Sequence, residues 1–483
     1  VFDSTIALVH ELRKRGVRTG VISSSRNCTY ILEQAEIKDL FDTIVDGTVS
    51  RELDLDGKPA PDVFRVAADN LSASPDRCIG VEDALSGIES ARRANYGLVL
   101  GVCRHEDCQE MYAYGADMIV DDRSEFSIED ARNWFEAEKE RDSWNLTYFG
   151  FEPKENRLRE ALTTVGNGYF GTRGAMASED INDDRHYPGT YIMGLFNKLP
   201  TEVHGKEIWN NDFVNLPNWL SLKIRIADDP FLSVDEATVV SFRQNLNLRT
   251  GITRHELRLR DKKGRTTRID TERFASIEEP HRAVLAATVT PEDYEGKVTI
   301  RSALDGTMIN YGVERYRDLS RDHLDHVDAS DVESGVHLAV RTKNSKIDIH
   351  MVTNTRLFAG DTALAGAQRT VVTDDRYAAE EWSFDAEEGT EYRVEKLVGI
   401  STSKEYELED PDDPARPAYA AVATTDSYAE LVQRQRAGWD ELWDRADFVI
   451  DGDRFAQETI RLHIYHLLAT ANRNNTKIDA GMT

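Results

Sequence analysis

Ser23, Ser25 and Asn27 in VISSSRN (21–27), Lys58 in GKPAPDVF (57–64), and Glu82 with Asp83 in GVEDALSGIESARRA (80–94) suit one chemistry, the handling of a phosphoryl group. Hydroxyls and backbone N–H groups at a strand end, just before a helix, bind phosphoryl oxygens because the helix start offers unpaired donors and positive partial charge. A lysine between Gly57 and Pro59 neutralises charge developing on a transferring phosphoryl group. A Glu-Asp pair after the apolar stretch CIGV supplies the hard oxygen ligands that Mg²⁺ takes. Each group has a plainer reading: a serine run as a helix cap, GKPAP as a loop, Glu-Asp as solvated charge. Their occurrence together, each where an apolar stretch ends, favours the phosphoryl reading, since the open edge of a parallel α/β sheet collects anionic ligands.

The elements that must position these residues are legible as a pattern. Over 1–122 the short apolar stretches TGVISS, CIGV, LVLGV and MIVDD alternate with helical segments, which predicts βαβ units, a Rossmann-like α/β core with a parallel sheet. Residues 123–143 are charged and helix-prone and read as a linker helix. From 144 to 410 the period becomes two, with Leu220, Leu222, Ile224 and Ile226, then Val336, Leu338 and Val340, then Ile347, Ile349 and Met351, which predicts an antiparallel β-sandwich. The acidic, proline-rich EDPDDPARP at 409–417 breaks regular structure, so 411–450 reads as a linker with helices. In the last segment, 451–483, Ile460, Ile464, Leu467, Leu468 and Ala471 are expected to share one helix face.

With 87 acidic against 59 basic residues the net charge is −28, which argues against nucleic acid or an anionic membrane as partner. The same surface suits either a high-salt cytoplasm or an ordinary acidic enzyme. The four cysteines, Cys28, Cys78, Cys103 and Cys108, all fall in the first domain, and no apolar run is long enough for a signal core or a membrane span, so a reducing, cytoplasmic location is expected. Cys103 and Cys108 with His105 between them have no second ligand pair at a metal-site spacing and read as structural. His463 and His466 read as helix packing.

On these residues the stretch from about Val1 to Val120 resembles the core of the haloacid dehalogenase superfamily, in its β-phosphoglucomutase branch. The resemblance implies an aspartyl-phosphate mechanism in which Ser23 contacts the phosphoryl group, Lys58 stabilises it, and Glu82 and Asp83 help bind Mg²⁺. It also implies that Ser25, Arg26 and Asn27 hold the distal phosphate of a sugar phosphate. The family's nucleophile lies in a DxDxT-type strand followed by a helical cap, and this chain opens at Val1 with neither; Asp3 precedes a helix and is no substitute. The expectation is a core truncated at its N-terminus that does not catalyse alone.

A second resemblance covers most of 145–410. LREALTTVGNGYFGTRGAM (158–176), YPGTYIMGLFNKL (187–199), DFVNLPNWLSLKIRI (212–226), FRQNLNLRTGITRHELRLRD and RSALDGTMIN are similar to the N-terminal domain of glycoside hydrolase family 65. That family includes inverting phosphorylases of trehalose, maltose and kojibiose. The C-terminal helix with NTKIDAGMT resembles the opening of the family's (α/α)6 barrel. The resemblance implies phosphorolysis of an α-glucosyl disaccharide to β-glucose 1-phosphate, which the mutase-like part would convert to glucose 6-phosphate. Its partners would be sugars, sugar phosphates and inorganic phosphate, with a homodimer through the sandwich. The glutamate acid of that reaction lies deeper in the barrel, so no residue here is nominated for it. Among the aromatics Tyr169, Phe170, Tyr187, Tyr191, Trp209 and Trp219, core packing is favoured for Trp219, while Trp209 in EIWNND divides evenly between core and sugar stacking. The alternative functions are a non-catalytic carbohydrate-binding or dimerisation module, and a sugar-phosphate phosphatase fused to a sandwich.

Overall fold

Leu98, Val99, Leu100 and Val102 are all buried, as a strand covered on both faces requires. In the computed structural model, which describes residues 3–103, 108, 110–120, 126, 128, 131, 134–135, 143–180, 185–310, 319–405, 410–450, 454–471 and 474, they form the centre of a parallel sheet. The chain divides into two units, Val1–Asp142 with Tyr148–Gly150, and Ser143–Thr147 with Phe151–Thr483.

The first unit runs α1 (Asp3–Lys14), β1 (Gly20–Ile22), α2 (Cys28–Gln34), β2 (Thr43–Val45), α3 (Gly47–Glu52), α4 (Asp62–Asn70), β3 (Ile79–Glu82), α5 (Leu85–Arg93), β4 (Leu98–Val102), α6 (Glu110–Ala113) and β5 (Met118–Val120). All its strand pairs are parallel, but they form two groups, β1–β2 and β3–β4–β5. The α/β core is as expected, whereas the sheet is not continuous: among the described residues no strand hydrogen-bonds to both β1 and β3. From the 123–143 segment Phe126 is buried, Trp134 and Phe135 pack on the Leu98–Leu100 side of the sheet, and the Trp134 indole donates to the Gly97 carbonyl at 2.9 Å.

Cys103 and Cys108 form a disulfide with Cα atoms 5.6 Å apart, where the sequence reading expected reduced thiols. Cα atoms this close lie within disulfide reach, a tertiary fact that sequence spacing alone does not reveal. His105 lies outside the described residues. Cys28 and Cys78 are free and buried, and burial pushes the Cys78 thiol up to about 11.

β6 (Asn145–Phe149) enters the second unit with Asn145–Thr147, and α7 (Pro153–Leu162) precedes a small antiparallel sheet of β7 (Val165–Gly166), β8 (Phe170–Thr172) and β9 (Thr190–Ile192), then a two-stranded ribbon, β10 (Phe196–Val203) with β11 (Lys206–Phe213). The body of the unit consists of β12 (Leu222–Ile226), β13 (Thr238–Asn247), β14 (Ile252–Arg260), β15 (Thr266–Ala275), β16 (Arg282–Pro291), β17 (Gly296–Asp305), β18 (Leu324–Val332), β19 (Gly335–Thr342), β20 (Asp348–Ala359), β21 (Thr362–Ala363), β22 (Gln368–Asp374), β23 (Tyr377–Ala386) and β24 (Tyr392–Thr402). A four-stranded sheet, β12-β17-β23-β22, packs on a ten-stranded one ordered β18-β19-β20-β24-β16-β15-β14-β13-β6, with β21 paired to β20. Period-two side chains from both, among them Leu222, Ile224, Val298 and Ile300 against Leu257, Leu285, Val398 and Met351, fill one core. The antiparallel sandwich expected from the sequence is therefore present.

Three helices follow, α8 (Arg416–Val422), α9 (Tyr428–Ala446) and α10 (Arg454–Thr470). A capping box between Ser427 and Glu430 starts α9. Its Trp439 and Trp443 pack with Leu246, Leu248, Ile277, Tyr465 and Ala469. The face of α10 differs from the expectation, because Ile460 and Leu467 are exposed while Gln457, Arg461, Tyr465 and Ala469 are buried. Two polar residues take buried positions here because each has partners. Arg461 pairs with Asp447 at 2.9 Å and also bonds Ser143, and Gln457 bonds the Phe448 carbonyl and the Ile450 N–H. On the same helix His466 is half-buried and His463 exposed. NTKIDAGMT, and with it the expected start of a helical barrel, lies outside the described residues. Among the described residues no helix is long and apolar enough to cross a membrane.

Candidate phosphoryl site and the aromatic surface of the sandwich

β1 ends at Ile22, and the Ser23 N–H continues the ladder by donating to Val45 O at 3.0 Å. The chain then turns, with the Ser25 N–H on Ser23 Oγ and the Asn27 N–H on Ser25 Oγ, both at 3.2 Å. These hydroxyls thus accept bonds within their own turn, and Asn27 precedes α2 without a side-chain cap bond. Gly47 sits against this turn; a Cβ there would come 3.2 Å from Arg26 Cγ and would overlap the Ser24 carbonyl. Beside it Asp46 caps α3, accepting from the Thr48 and Val49 N–H groups and from the Thr29 hydroxyl. Burial opposes ionisation of Asp46, but these bonds outweigh it and hold its carboxyl below the usual range.

Lys58 and Glu82 come together. Glu82 is the last residue of β3, and its carboxylate pairs with the Lys58 ammonium, which also lies 5.3 Å from the centre of the Phe64 ring. The side chains are only 14% and 11% exposed. Burial raises the Glu82 carboxyl, Lys58 works against that rise, and the Asp83 N–H helps by bonding the carboxylate. Gly87 leaves the room: a Cβ at that position would fall inside the Glu82 carboxylate. The GKPAP loop is pinned to α5 by the Ser90 hydroxyl on Ala60 O at 2.5 Å. Asp83 is exposed next to Glu82.

The proposed residues stand on two strand groups that share no hydrogen-bonded pair among the described residues. Ser23, Ser25, Arg26 and Asn27 stand at the end of β1, and Lys58, Glu82 and Asp83 at the end of β3, in separate strand groups. The Glu82 carboxylate is paired with Lys58, and among the described residues no group of three or more His, Cys, Asp or Glu is placed to hold a metal ion.

In the second unit the aromatic candidates separate by burial. Trp219, Tyr169, Phe170 and Tyr187 are core, with the Trp219 indole donating to Thr172 Oγ1 at 2.9 Å and the Tyr169 hydroxyl to Glu405 at 2.7 Å. Tyr191 is half-buried and stacks on Phe213, whereas Trp209 is 52% exposed. The sequence reading did not single out a buried polar cluster behind the glycine-rich segment. Its centre is Glu160, which accepts from Asn156 Nδ2 at 2.8 Å and from the Tyr187 N–H at 3.0 Å. The helical register of LREALTT hides such a residue, since a buried glutamate carries no apolar signal.

Comparison with known proteins places these units. The family model for the glycosyl hydrolase family 65 N-terminal domain matches residues 146–442, and that for haloacid dehalogenase-like hydrolases matches residues 1–95. An uncharacterized glycosyl hydrolase of Mycobacterium tuberculosis is 35% identical over 347 residues, which cover 72% of this chain and 26% of that protein. Kojibiose phosphorylase of Thermoanaerobacter brockii is 29% identical over 73% of this chain and 44% of its own length. Trehalose 6-phosphate phosphorylase of Lactococcus lactis is 27% identical over 68% of this chain and 40% of its own length. The chain thus spans less than half the length of these curated relatives. A solved structure described as a putative kojibiose phosphorylase from human microbiome shares the fold, with a TM-score of 0.56 at 17% identity over 68% of this chain and 42% of that one.

Proposed function

The chain belongs to glycosyl hydrolase family 65, and from that membership we propose that it serves an inverting phosphorylase of an α-glucosyl disaccharide, coupled to a β-phosphoglucomutase-like activity. The match over 146–442 carries this reading, supported by relatives that are phosphorylases of kojibiose, trehalose 6-phosphate and maltose. In an inverting phosphorolysis one carboxylic acid protonates the leaving glycosidic oxygen while phosphate attacks the opposite face of the sugar. Two fully buried carboxylates of the sandwich are unsuited to that role. Glu160 is held by Asn156 and Tyr187, and Glu380 by Arg369 and Thr355, both at 2.7 Å.

In the first unit the haloacid dehalogenase-like match and the Lys58–Glu82 pair support a phosphotransferase role. Lys58 would meet the negative charge of a transferring phosphoryl group, and Glu82 would hold the ammonium in place. Ser23, Ser25, Arg26 and Asn27 would bind the phosphate groups of a sugar phosphate, in a cytoplasmic homodimer formed through the sandwich. Magnesium belongs to this proposal through the family alone, and no step is routed through it. The test is a panel of kojibiose, trehalose, trehalose 6-phosphate and maltose, each with and without inorganic phosphate, assayed on the full-length gene product. The expected result is phosphate-dependent cleavage of one of them; phosphate-independent hydrolysis would contradict the reading.

A further inference from the structure

One face of the β10–β11 ribbon, which includes Asn197, Leu199 and Thr201, is tied to neighbouring segments of the same unit. On it Leu199 is buried, and Asn197 and Thr201 are hydrogen-bonded. Asn197 Oδ1 accepts from the N–H groups of Asn344 and Ser345 at 3.0 and 2.9 Å, Asn197 Nδ2 meets His323 Nδ1 at 3.0 Å, and Thr201 Oγ1 accepts from the Ser320 N–H at 2.8 Å. The opposite face carries the aromatic residues into solvent. There the register pairs Phe196 with Phe213, Lys198 with Asn211, Pro200 with Trp209, and Glu202 with Glu207. Phe213 is sandwiched between Phe196 at 5.2 Å and Tyr191 at 5.0 Å, and all the other paired residues of this face are exposed.

We propose that this outward face binds a neutral oligosaccharide, with the Trp209 ring and the Phe196–Phe213 stack as two platforms and the polar pair between them as hydrogen-bonding groups. Four residues separate the platforms along the strand, about 14 Å at ~3.4 Å per residue, so the ligand is a short chain of sugars rather than a monosaccharide. Aromatic faces receive the C–H faces of pyranose rings. Asn211 and Lys198 lie between the platforms, and the Glu202–Glu207 pair lies beyond Trp209, offering acceptors to sugar hydroxyls. The two carboxylates beside Trp209 repel a phosphorylated sugar, which selects the neutral one. Trp209 is held for this purpose, its indole N–H on Glu207 Oε1 at 2.7 Å. No core packing accounts for a tryptophan this exposed.

The test is calorimetric titration of the full chain with maltoheptaose, alongside native electrophoresis in gels containing glycogen. Trp209→Ala is expected to weaken binding tenfold or more, Trp209→Phe to retain most of it, and both to keep the wild-type melting temperature because the side chain is solvent-facing. Absence of wild-type binding up to about 10 mM ligand would overturn the proposal, as would unchanged binding by Trp209→Ala. Sedimentation of the same variants covers the rival occupant: loss of self-association in Trp209→Ala without any sugar binding would make this face an interface between copies. Phosphorolysis is assayed separately, so failure here leaves the family reading intact.

Discussion

Lys58 and Glu82 are 24 residues apart and nearly buried together, so each depends on the other for its charge. Lys58→Ala leaves a buried carboxylate without its counter-ion. The expected loss is about 2–3 kcal/mol near neutral pH, shrinking as Glu82 protonates in acid, and the double variant Lys58→Met/Glu82→Gln should recover most of it. Urea unfolding across pH checks both points. Lys396, fully buried in β24, offers the opposite case. Its ammonium donates to Ala303 O at 2.8 Å and to Ser221 O at 3.2 Å, and burial pulls it down to about 7. The unfolded lysine titrates near ~10.4, so between about pH 7 and 10 the unfolded state binds more protons and stability rises with pH by about 1 kcal/mol per unit. Lys396→Met should remove that slope. Of these residues Lys58 and Glu82 were singled out in the sequence by motif order, and the structure pairs them. Lys396 was not: it shares the face of Tyr392, Val394, Val398 and Ile400, but a lysine carries no apolar signal of burial.

Strands were the most legible elements, because period-two burial leaves a direct trace, as in Leu222, Ile224 and Ile226 of β12. The face of α10 was misread, since Arg461 and Gln457 are buried by virtue of partners 14 and 7 to 9 residues away that no local pattern announces. The ribbon was half legible: Trp209 in EIWNND divided evenly between core and sugar stacking, and its exposure of 52% excludes the core. Glycine positions are sharper. Gly251 has φ of +62° and sits against Trp439, so a Cβ would come 2.6 Å from the indole. Gly251→Ala is therefore expected to cost about 1–3 kcal/mol through strain and displacement of Trp439. The drop in melting temperature, accompanied by a change in near-ultraviolet circular dichroism from the tryptophans, would show it; an unchanged melting temperature would mean that α9 packs less tightly than described.

For the whole molecule the acidic balance and the succession of an α/β unit, a β-sandwich and helices were open to reading from composition and periodicity. The discontinuity between β1–β2 and β3–β4–β5 was not, because pairing between strands is a tertiary fact. Family membership accounts for the sandwich, and the haloacid dehalogenase-like match accounts for an unusual neighbour in the same chain. The proposed coupling makes chemical sense only if the proposed phosphorolysis inverts, since a β-phosphoglucomutase takes the β-anomer alone. The anomer is thus the point on which the account turns. Proton and phosphorus NMR of the full-length gene product, followed from the first minutes of reaction with the cleaved disaccharide and inorganic phosphate, reads it directly. The expected first sugar phosphate is β-glucose 1-phosphate, followed by glucose 6-phosphate. Release of α-glucose 1-phosphate, or of free glucose with no phosphate consumed, would contradict it.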